Sequence, residues 1–330
     1  MTQTTPENAA WKEFLLSTRS GDLVPADFKL IFVPSTAVIP EVIKVLVKNN
    51  ISSVPVMDVE TNQFSGLIDM IGLTPLLADL LTLVVATAEA KELVDVLCRN
   101  QVDWETFIQT ELQVFRDQTI ADMTNISERN PWAPVWEGFP LSSLLDMFSK
   151  NVNLHRVPII DGDGNVVGLV SQSRVLEFLH KNIDKFPDAD ITVDSFWKPG
   201  HQPLVSVPIQ EDAIVAFKQM FDFRVSGLPV VDSDNKIVGS ISASDLKGST
   251  EETLFSDVKR PLKDYLANCS RYFKRDPSSK PITCTINDTL KGVMAKLIEH
   301  RIHRIFITDD DNTLEGVLSL CDVISVLSGP

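Results

Sequence analysis

Apolar and polar positions follow one plan four times along the chain, and the copy nearest the C-terminus is the clearest. In Ile302–Val326 an apolar strand (Ile305–Thr308) runs into an acidic tight turn (Asp309–Thr313) and a second strand (Gly316–Leu318), after which Ser319-x-x-Asp322 opens a helix. The plan recurs at Val157-Pro158-Ile159-Ile160-Asp161 followed by GDGNVVGLVSQSRVLEFL, and at Leu228-Pro229-Val230-Val231-Asp232 followed by SDNKIVGSISASDL. A more worn copy starts at Val54-Pro55-Val56-Met57-Asp58. Upstream of the hairpin come an apolar strand (Leu204–Val207; Ile282–Ile286) and a helix with one buried stripe. Leu290, Val293, Met294, Leu297 and Ile298 fall at i, i+3, i+4, i+7 and i+8 in the fourth copy. Ile214, Phe217 and Phe221 play that part in the third, Leu141, Leu144, Leu145 and Phe148 in the second, and Val42, Val45 and Leu46 in the first. The unit is strand, helix, strand, strand, helix, and such self-similarity decides the fold before any single motif does.

The units are expected at 28–90, 127–181, 203–250 and 281–330. A polar N-terminal extension occupies 1–27, loose at Met1–Ala10, with Trp11–Leu16 expected as a short helix packing on the first unit. Leu73–Ala88 is the most apolar run, but Pro75 and Asp79 interrupt it, so it reads as a buried helix rather than a membrane span. Glu92–Asn125 reads as helical, which makes 91–126 an insertion. The segment 182–202, with Pro187, Pro199 and Gly200, is the linker between halves, and 251–280 connects the last two units through a loop containing Arg271, Lys274, Arg275 and Lys280.

Composition narrows the function classes. The 330 residues carry 30 basic and 45 acidic side chains, a formal charge of −15, which disfavours non-specific attraction to nucleic acid or anionic membrane. Any anion site must then be a local concentration of cations. Cys98, Cys269, Cys284 and Cys321 show no CxxC spacing, so neither a zinc site nor a disulfide framework is expected, and a reducing compartment, cytoplasm with the nucleus also open, fits. No phosphate loop, dinucleotide fingerprint or nucleophile elbow is present, and five histidines give no acid–base constellation, so no catalytic residue and no metal ligand is assigned.

Three motifs carry competing readings. Asp161-Gly162-Asp163-Gly164-Asn165 imitates the start of a calcium loop, but Val166 stands where that loop needs glycine, so it is a hairpin turn, as are the acidic runs at Asp232 and Asp309. Ser242-Ala243-Ser244-Asp245 and Ser319-Leu320-Cys321-Asp322 fit a capping box, and the same carboxylates stand where strand meets helix, able to accept from a vicinal diol. The first unit has Asp69-Met70-Ile71-Gly72 there, without the acid, and the second has Arg174, a cation that cannot accept. Leu154-His155-Arg156 and Ile302-His303-Arg304 place His-Arg pairs at equivalent strand entrances, with Arg224 and Ser226 at that of the third unit. Isolated, such a pair is a solvated surface feature; two pairs at equivalent positions of repeated units are harder to dismiss, since Arg offers a planar fork of donors suited to phosphate.

These residues carry a resemblance that covers nearly all of Phe32–Leu327. The unit resembles the cystathionine-β-synthase (CBS) repeat, and four in one chain, with the His-Arg entrances and Ser171-Gln172-Ser173-Arg174, resemble the γ regulatory subunits of AMP-activated protein kinases. The resemblance implies an α/β protein of four CBS repeats in two tandem Bateman modules arranged as a flattened pseudo-symmetric disc. It implies a non-catalytic energy sensor binding AMP, ADP or ATP as regulatory ligands, with kinase catalytic and scaffold subunits as partners. Asp245 and Asp322 would hold ribose; His155, Arg156, Arg224, Ser226, His303, Arg304 and Ser319 would hold phosphate; Val205, Val225, Ser242 and Val317 would line the base pocket. Ser52 and Ser173 depart from the family's phosphate-contacting Arg and Lys, which weakens the first half's own site. The alternatives are a stand-alone sensor of another adenosyl ligand, such as S-adenosylmethionine, and a structural module with relic sites.

Overall fold

The computed structural model describes residues 6–70, 119–120, 131–198, 204–248, 257–272 and 280–329. The apolar run Leu73–Ala88, nearly all of Glu92–Asn125, and Lys274 and Arg275 of the basic loop lie outside those residues.

Each unit builds the same three-stranded sheet. The strands are β1 Val33–Pro34, β2 Ser53–Met57 and β3 Phe64–Asp69; β4 Val135–Trp136, β5 Arg156–Ile160 and β6 Val166–Ser171; β7 Val207–Pro208, β8 Gly227–Val231 and β9 Ile237–Ser242; β10 Thr283–Cys284, β11 Arg304–Thr308 and β12 Leu314–Ser319. In every sheet the first strand runs parallel to the second, and the second pairs antiparallel with the third. A parallel pair needs a crossover, which a helix supplies in each unit. In chain order the helices are α1 Pro6–Ser17, α2 Ile39–Lys48, α3 Leu141–Lys150, α4 Gln172–Lys181, α5 Val193–Phe196, α6 Ala213–Asp222, α7 Leu262–Tyr272, α8 Leu290–Glu299 and α9 Leu320–Ser328, with α2, α3, α6 and α8 as the crossovers.

The stripes point as the periodicity predicts in two units: Leu141, Leu144, Leu145 and Phe148 are fully buried, as are Leu290, Val293, Met294 and, within 1%, Leu297. In α6 the buried face is Ala213, Ala216, Phe217 and Met220, which rotates Ile214 and Phe221 to the flank. Alanine is too small to stand out in an apolar count, so the stripe reads one position off. Each crossover helix also begins at an N-cap residue bridged by a segment from outside the unit: Val38 by Thr119, Pro140 by Arg19, Asp212 by Pro261 and Thr289 by Thr192. The linker is therefore pinned to the fourth unit, where Val193 N donates to Asp288 O and Leu290 N to Ile191 O.

The hairpin turns spend their acids on their own backbone. Asp161 Oδ1 accepts from the amides of Asp163 and Asn165, Asp232 from Asp234 and Lys236, and Asp309 from Asp311 and Thr313. The left-handed position is Asn62, Gly164, Asn235 or Asn312, residue types that tolerate positive φ. These turns are hairpin chemistry, not cation loops. The bonds hold Asp161 and Asp309 below the usual carboxylate range, led by the Asn165 side chain and the Thr313 amide respectively.

Two large cores join the units crosswise. One contains β1–β3 and α2 of the first unit with β7–β9, α6 and α7 of the third; the other joins the second unit to the fourth. The tandem partners meet by their sheets instead. In the third and fourth units, Ile237 N donates to Asn312 O and Leu314 N to Asn235 O, beside a small apolar cluster of Val231, Ile237, Phe306 and Leu314. In the first and second, Phe64 stacks on Trp132.

The N-terminal segment departs from expectation. Pro6–Ala10 is helical rather than loose, and α1 packs on the second and fourth units, not the first: Trp11 Nε1 donates to Leu327 O at 2.9 Å, and the ring meets Phe186. Trp11 and Leu15 are 3% exposed within the core shared by those units. An amphipathic segment shows from sequence that it has an apolar face, but not which of four similar surfaces receives it.

Candidate functional site

The His-Arg entrances meet where the four units meet. Arg156 Nη1 crosses from β5 to the first unit and donates to Ser53 O at 3.0 Å and to Ser53 Oγ; Arg304 Nη2 crosses from β11 to the third and donates to Ser226 Oγ. The same exchange on both sides follows from the repeat register, since Arg156 pairs Ser171 and Arg304 pairs Ser319 in their sheets. Gly227 makes the second exchange possible: a Cβ there would stand 1.7 Å from Arg304 Nη1 and 2.8 Å from Ile241 O.

Two cavities open on this centre. The larger, about 580 Å³, is lined by Asp322 and Ser319 of the fourth unit, by Val205, Arg224, Val225 and Ser226 of the third, and by Val317. The smaller, about 220 Å³, is lined by Asp245 and Ser242 of the third unit, by Ile282 and Ile302 of the fourth, and by Ser52, Ser53 and Asp69 of the first. His155, Arg156, Ser226, His303 and Arg304 line both. Every residue named from sequence as a ribose, phosphate or base contact thus lies on one cavity wall or the other. Arg224 reaches its place by a left-handed backbone (φ 54°) just past α6.

The two carboxylates are held by capping. Asp322 Oδ2 accepts from Ser319 N at 2.7 Å and Ser319 Oγ at 2.6 Å, while Ser319 Oγ accepts from Asp322 N at 3.3 Å. Oδ1 has no hydrogen bond among the described residues, so one oxygen fixes the helix start and the other remains to accept from a ligand. Asp245 Oδ2 is held by Ser242 N at 2.7 Å and Ser242 Oγ at 3.0 Å. Its element is a short 3-10 helix, Ala243–Gly248, rather than the α-helix seen in the second and fourth units, and Asp245 is buried. For Asp322, capping takes up one carboxylate oxygen and leaves the other open, so capping does not by itself preclude binding a ligand there.

The second unit's substitute, Arg174, faces away from this chemistry. Its Nε donates to Leu23 O at 3.0 Å and its Nη1 lies 3.5 Å from Glu177, so it fastens the N-terminal segment to α4. Asp69, which sequence reading sets aside, lies buried on the wall of the smaller cavity and its charge supports that of Arg156, whose pKa burial lowers. Sequence gives no signal for this, because Asp69 ends a strand like many solvated acids.

The centre is strongly electropositive. His303 is reached by solvent through the cavity mouths, yet protein crowding first, and then Arg304, Arg156 and Lys247, push its pKa down to about 4. The three cations alone fix that direction. That shift favours the uncharged ring in the empty site, so its contribution to an anion is an N–H rather than a charge. Among the described residues no group of His, Cys, Asp or Glu could hold a metal ion, and no helix is long and apolar enough to cross a membrane.

The chain matches the model of the CBS domain at residues 23–75, 125–181, 200–249 and 273–329, more than half its length. It is 26% identical over 326 residues to the 5'-AMP-activated protein kinase subunit gamma of Saccharomyces cerevisiae, covering 96% of this chain and 92% of the relative. The protein of the same name from Kluyveromyces lactis is 25% identical, with 95% and 90% covered. A Methanocaldococcus jannaschii protein proposed to be an archaeal homologue of γ-AMPK superposes with a TM-score of 0.66 at 14% identity, over 94% of this chain and 99% of that one, and so shares the fold.

Proposed function

This chain belongs to the CBS-domain family, and from that premise we propose that it is a non-catalytic regulatory subunit of an AMP-activated-type protein kinase that senses adenine nucleotides. One observation carries the reading: two cavities, each with a carboxylate at a strand-to-helix junction, open on one shared cluster of His155, Arg156, His303 and Arg304. A ribose diol suits the carboxylate, an apolar wall including Val205, Val225 and Val317 suits the base, and the guanidinium forks suit the phosphate. AMP, ADP and ATP share these three parts. The cationic centre opposes S-adenosylmethionine, whose sulfonium would face like charge.

Kinase catalytic and scaffold subunits are the proposed partners, supported by the names of the relatives. Nucleotide binding would bias such a complex between two states by differential affinity. The cytoplasm, with the nucleus also open, is the proposed compartment, and the buried thiols of Cys269, Cys284 and Cys321, none of them in a disulfide, fit it.

Calorimetry on carboxylate variants tests the reading. Asp322→Ala and Asp245→Ala should each weaken AMP in their own cavity about tenfold or more, the loss of charge-assisted hydrogen bonds worth about 1.5–3 kcal/mol each. The control is adenosine, which carries the same ribose and no phosphate and should lose as much as AMP does in Asp322→Ala. If Asp322→Ala leaves both ligands bound as tightly as before, the acid serves the helix and not the ligand.

A further inference from the structure

Lys247 sits where the repeat pattern calls for a core residue. Two positions past Asp245, it matches Leu176 and Ile324 in the second and fourth units, which are 1% and 0% exposed; Lys247 is itself only 5% exposed. Its Nζ crosses from the third unit to the first and donates to Ser52 Oγ at 3.3 Å. Ser52 Oγ is also 3.2 Å from Ser244 Oγ. Among the described residues that hydroxyl is the hydrogen-bond partner of Lys247, and no carboxylate pairs with it. An ammonium with three donors, taken from water and given one neutral acceptor, is costly unless an anion completes its shell.

The missing anion has a place to sit. Ser52, Ser53, Ser244 and Arg156 all line the Asp245 cavity, next to this ammonium. Ser52 also stands at the strand-entrance position where the second and fourth units carry His155 and His303, so the first unit brings no such donor of its own. We propose that Lys247 is a phosphate-binding residue of the Asp245 cavity, contributed by the third unit through Ser52 at the entrance that the first unit leaves without a His. The inference rests on the nucleotide reading of that cavity, and names a cation that reading lacks.

The electrostatics agree. Burial first, and then the like charge of Arg156, push Lys247 down to about 8, against the opposing pull of Asp245. The charged groups facing it are Arg156 on β5, Asp245 on its own turn, and His303, whose pKa Lys247 helps depress; Asp69 on β3 balances Arg156. A bound phosphate would raise the lysine's pKa, so its help is full below about 8, the empty-site value, and declines as pH rises from there toward the higher value of the bound state. The phosphate of AMP, with a second pKa of about 6, keeps its full charge over that range.

The test uses the full chain carrying Asp322→Ala, so that the Asp245 cavity dominates, with Lys247→Met and Lys247→Gln added separately. Met is apolar and of similar length, at a position where sister units place Leu and Ile; Gln retains a donor for Ser52. Each chain is titrated with AMP and with adenosine at about pH 7 and about pH 9, bracketing the lysine's titration. Both variants should lose about tenfold in AMP affinity at the lower pH, the worth of one charge-assisted bond, and leave adenosine within about twofold. AMP affinity should fall with pH in the chain that retains Lys247 and stay flat in both variants. Equal losses for AMP and adenosine, or undiminished AMP binding, would overturn the role of Lys247 while leaving the nucleotide reading intact. Failure of the Lys247-bearing chain to bind AMP or adenosine, with its fold intact by circular dichroism, would overturn that reading and the inference with it.

Discussion

Arg304→Ala is expected to lower AMP affinity about a hundredfold or more, and adenosine by no more than about threefold, because a guanidinium fork supplies two charge-assisted bonds of about 1.5–3 kcal/mol each. The selectivity follows from position. Arg304 lines both cavities, so its loss should be felt by nucleotide in either one, unlike the loss of a single carboxylate. It lies over Gly227 and donates to Ser226, and removing it leaves a neutral hydroxyl that water can satisfy. Arg156→Ala should act in the same direction on AMP, but Arg156 also ties the second unit to Ser53 of the first, so a fraction of its effect should appear with adenosine. Calorimetry of both ligands on both variants separates the two roles. Equal losses for AMP and adenosine in Arg304→Ala would make this arginine a fastener between units instead of a phosphate ligand.

Phe148→Ala should cost about 3–5 kcal/mol of folding stability and lower the unfolding midpoint by roughly 6–20 °C, the usual cost of emptying a large aromatic from a core. The ring is fully buried in the core that the second and fourth units share. The same residue supports the site: its carbonyl accepts from Cys321 Sγ at 3.2 Å, beside Asp322 at the start of α9. Saturating AMP should recover some of the lost midpoint by mass action, since ligand binds the folded chain and not the unfolded one. Differential scanning calorimetry with and without AMP reads both effects. A loss below about 1 kcal/mol would mean that the interface between the second and fourth units relaxes around the cavity far more than a close-packed core allows.

The repeated plan was legible because it is local. Alternation gives the hairpins, the i, i+3, i+4 stripes give α3 and α8, and Ser319-x-x-Asp322 gives the start of α9 within one residue. The stripe of α6 is less legible because half of it is alanine. Long-range choices were hidden. Nothing in the sequence of α1 says that Trp11 will meet Leu327 of the fourth unit and Phe186 of the linker, because four similar surfaces compete for one apolar face.

The site divides in the same way. Asp245, Asp322 and the His-Arg pairs could be named because repetition supplies internal controls, Arg174 and Gly72 among them. Lys247 could not: a lysine directly before Gly248, Ser249 and Thr250 reads as a solvated helix end. Its burial comes from the first unit packing over it, a contact between residues 195 apart in sequence. The neutral state of His303 was equally hidden, because it depends on three cations from three separate stretches converging on one ring.

The most direct test of a shared phosphate centre serving two carboxylate-anchored cavities is a calorimetric titration of the intact chain with AMP, run beside adenosine. The account predicts one or two AMP molecules bound per chain, with AMP favoured over adenosine by at least about a hundredfold, the worth of roughly 2.7 kcal/mol or more. Adenosine binding as tightly as AMP, or more than two equivalent AMP sites, would contradict it.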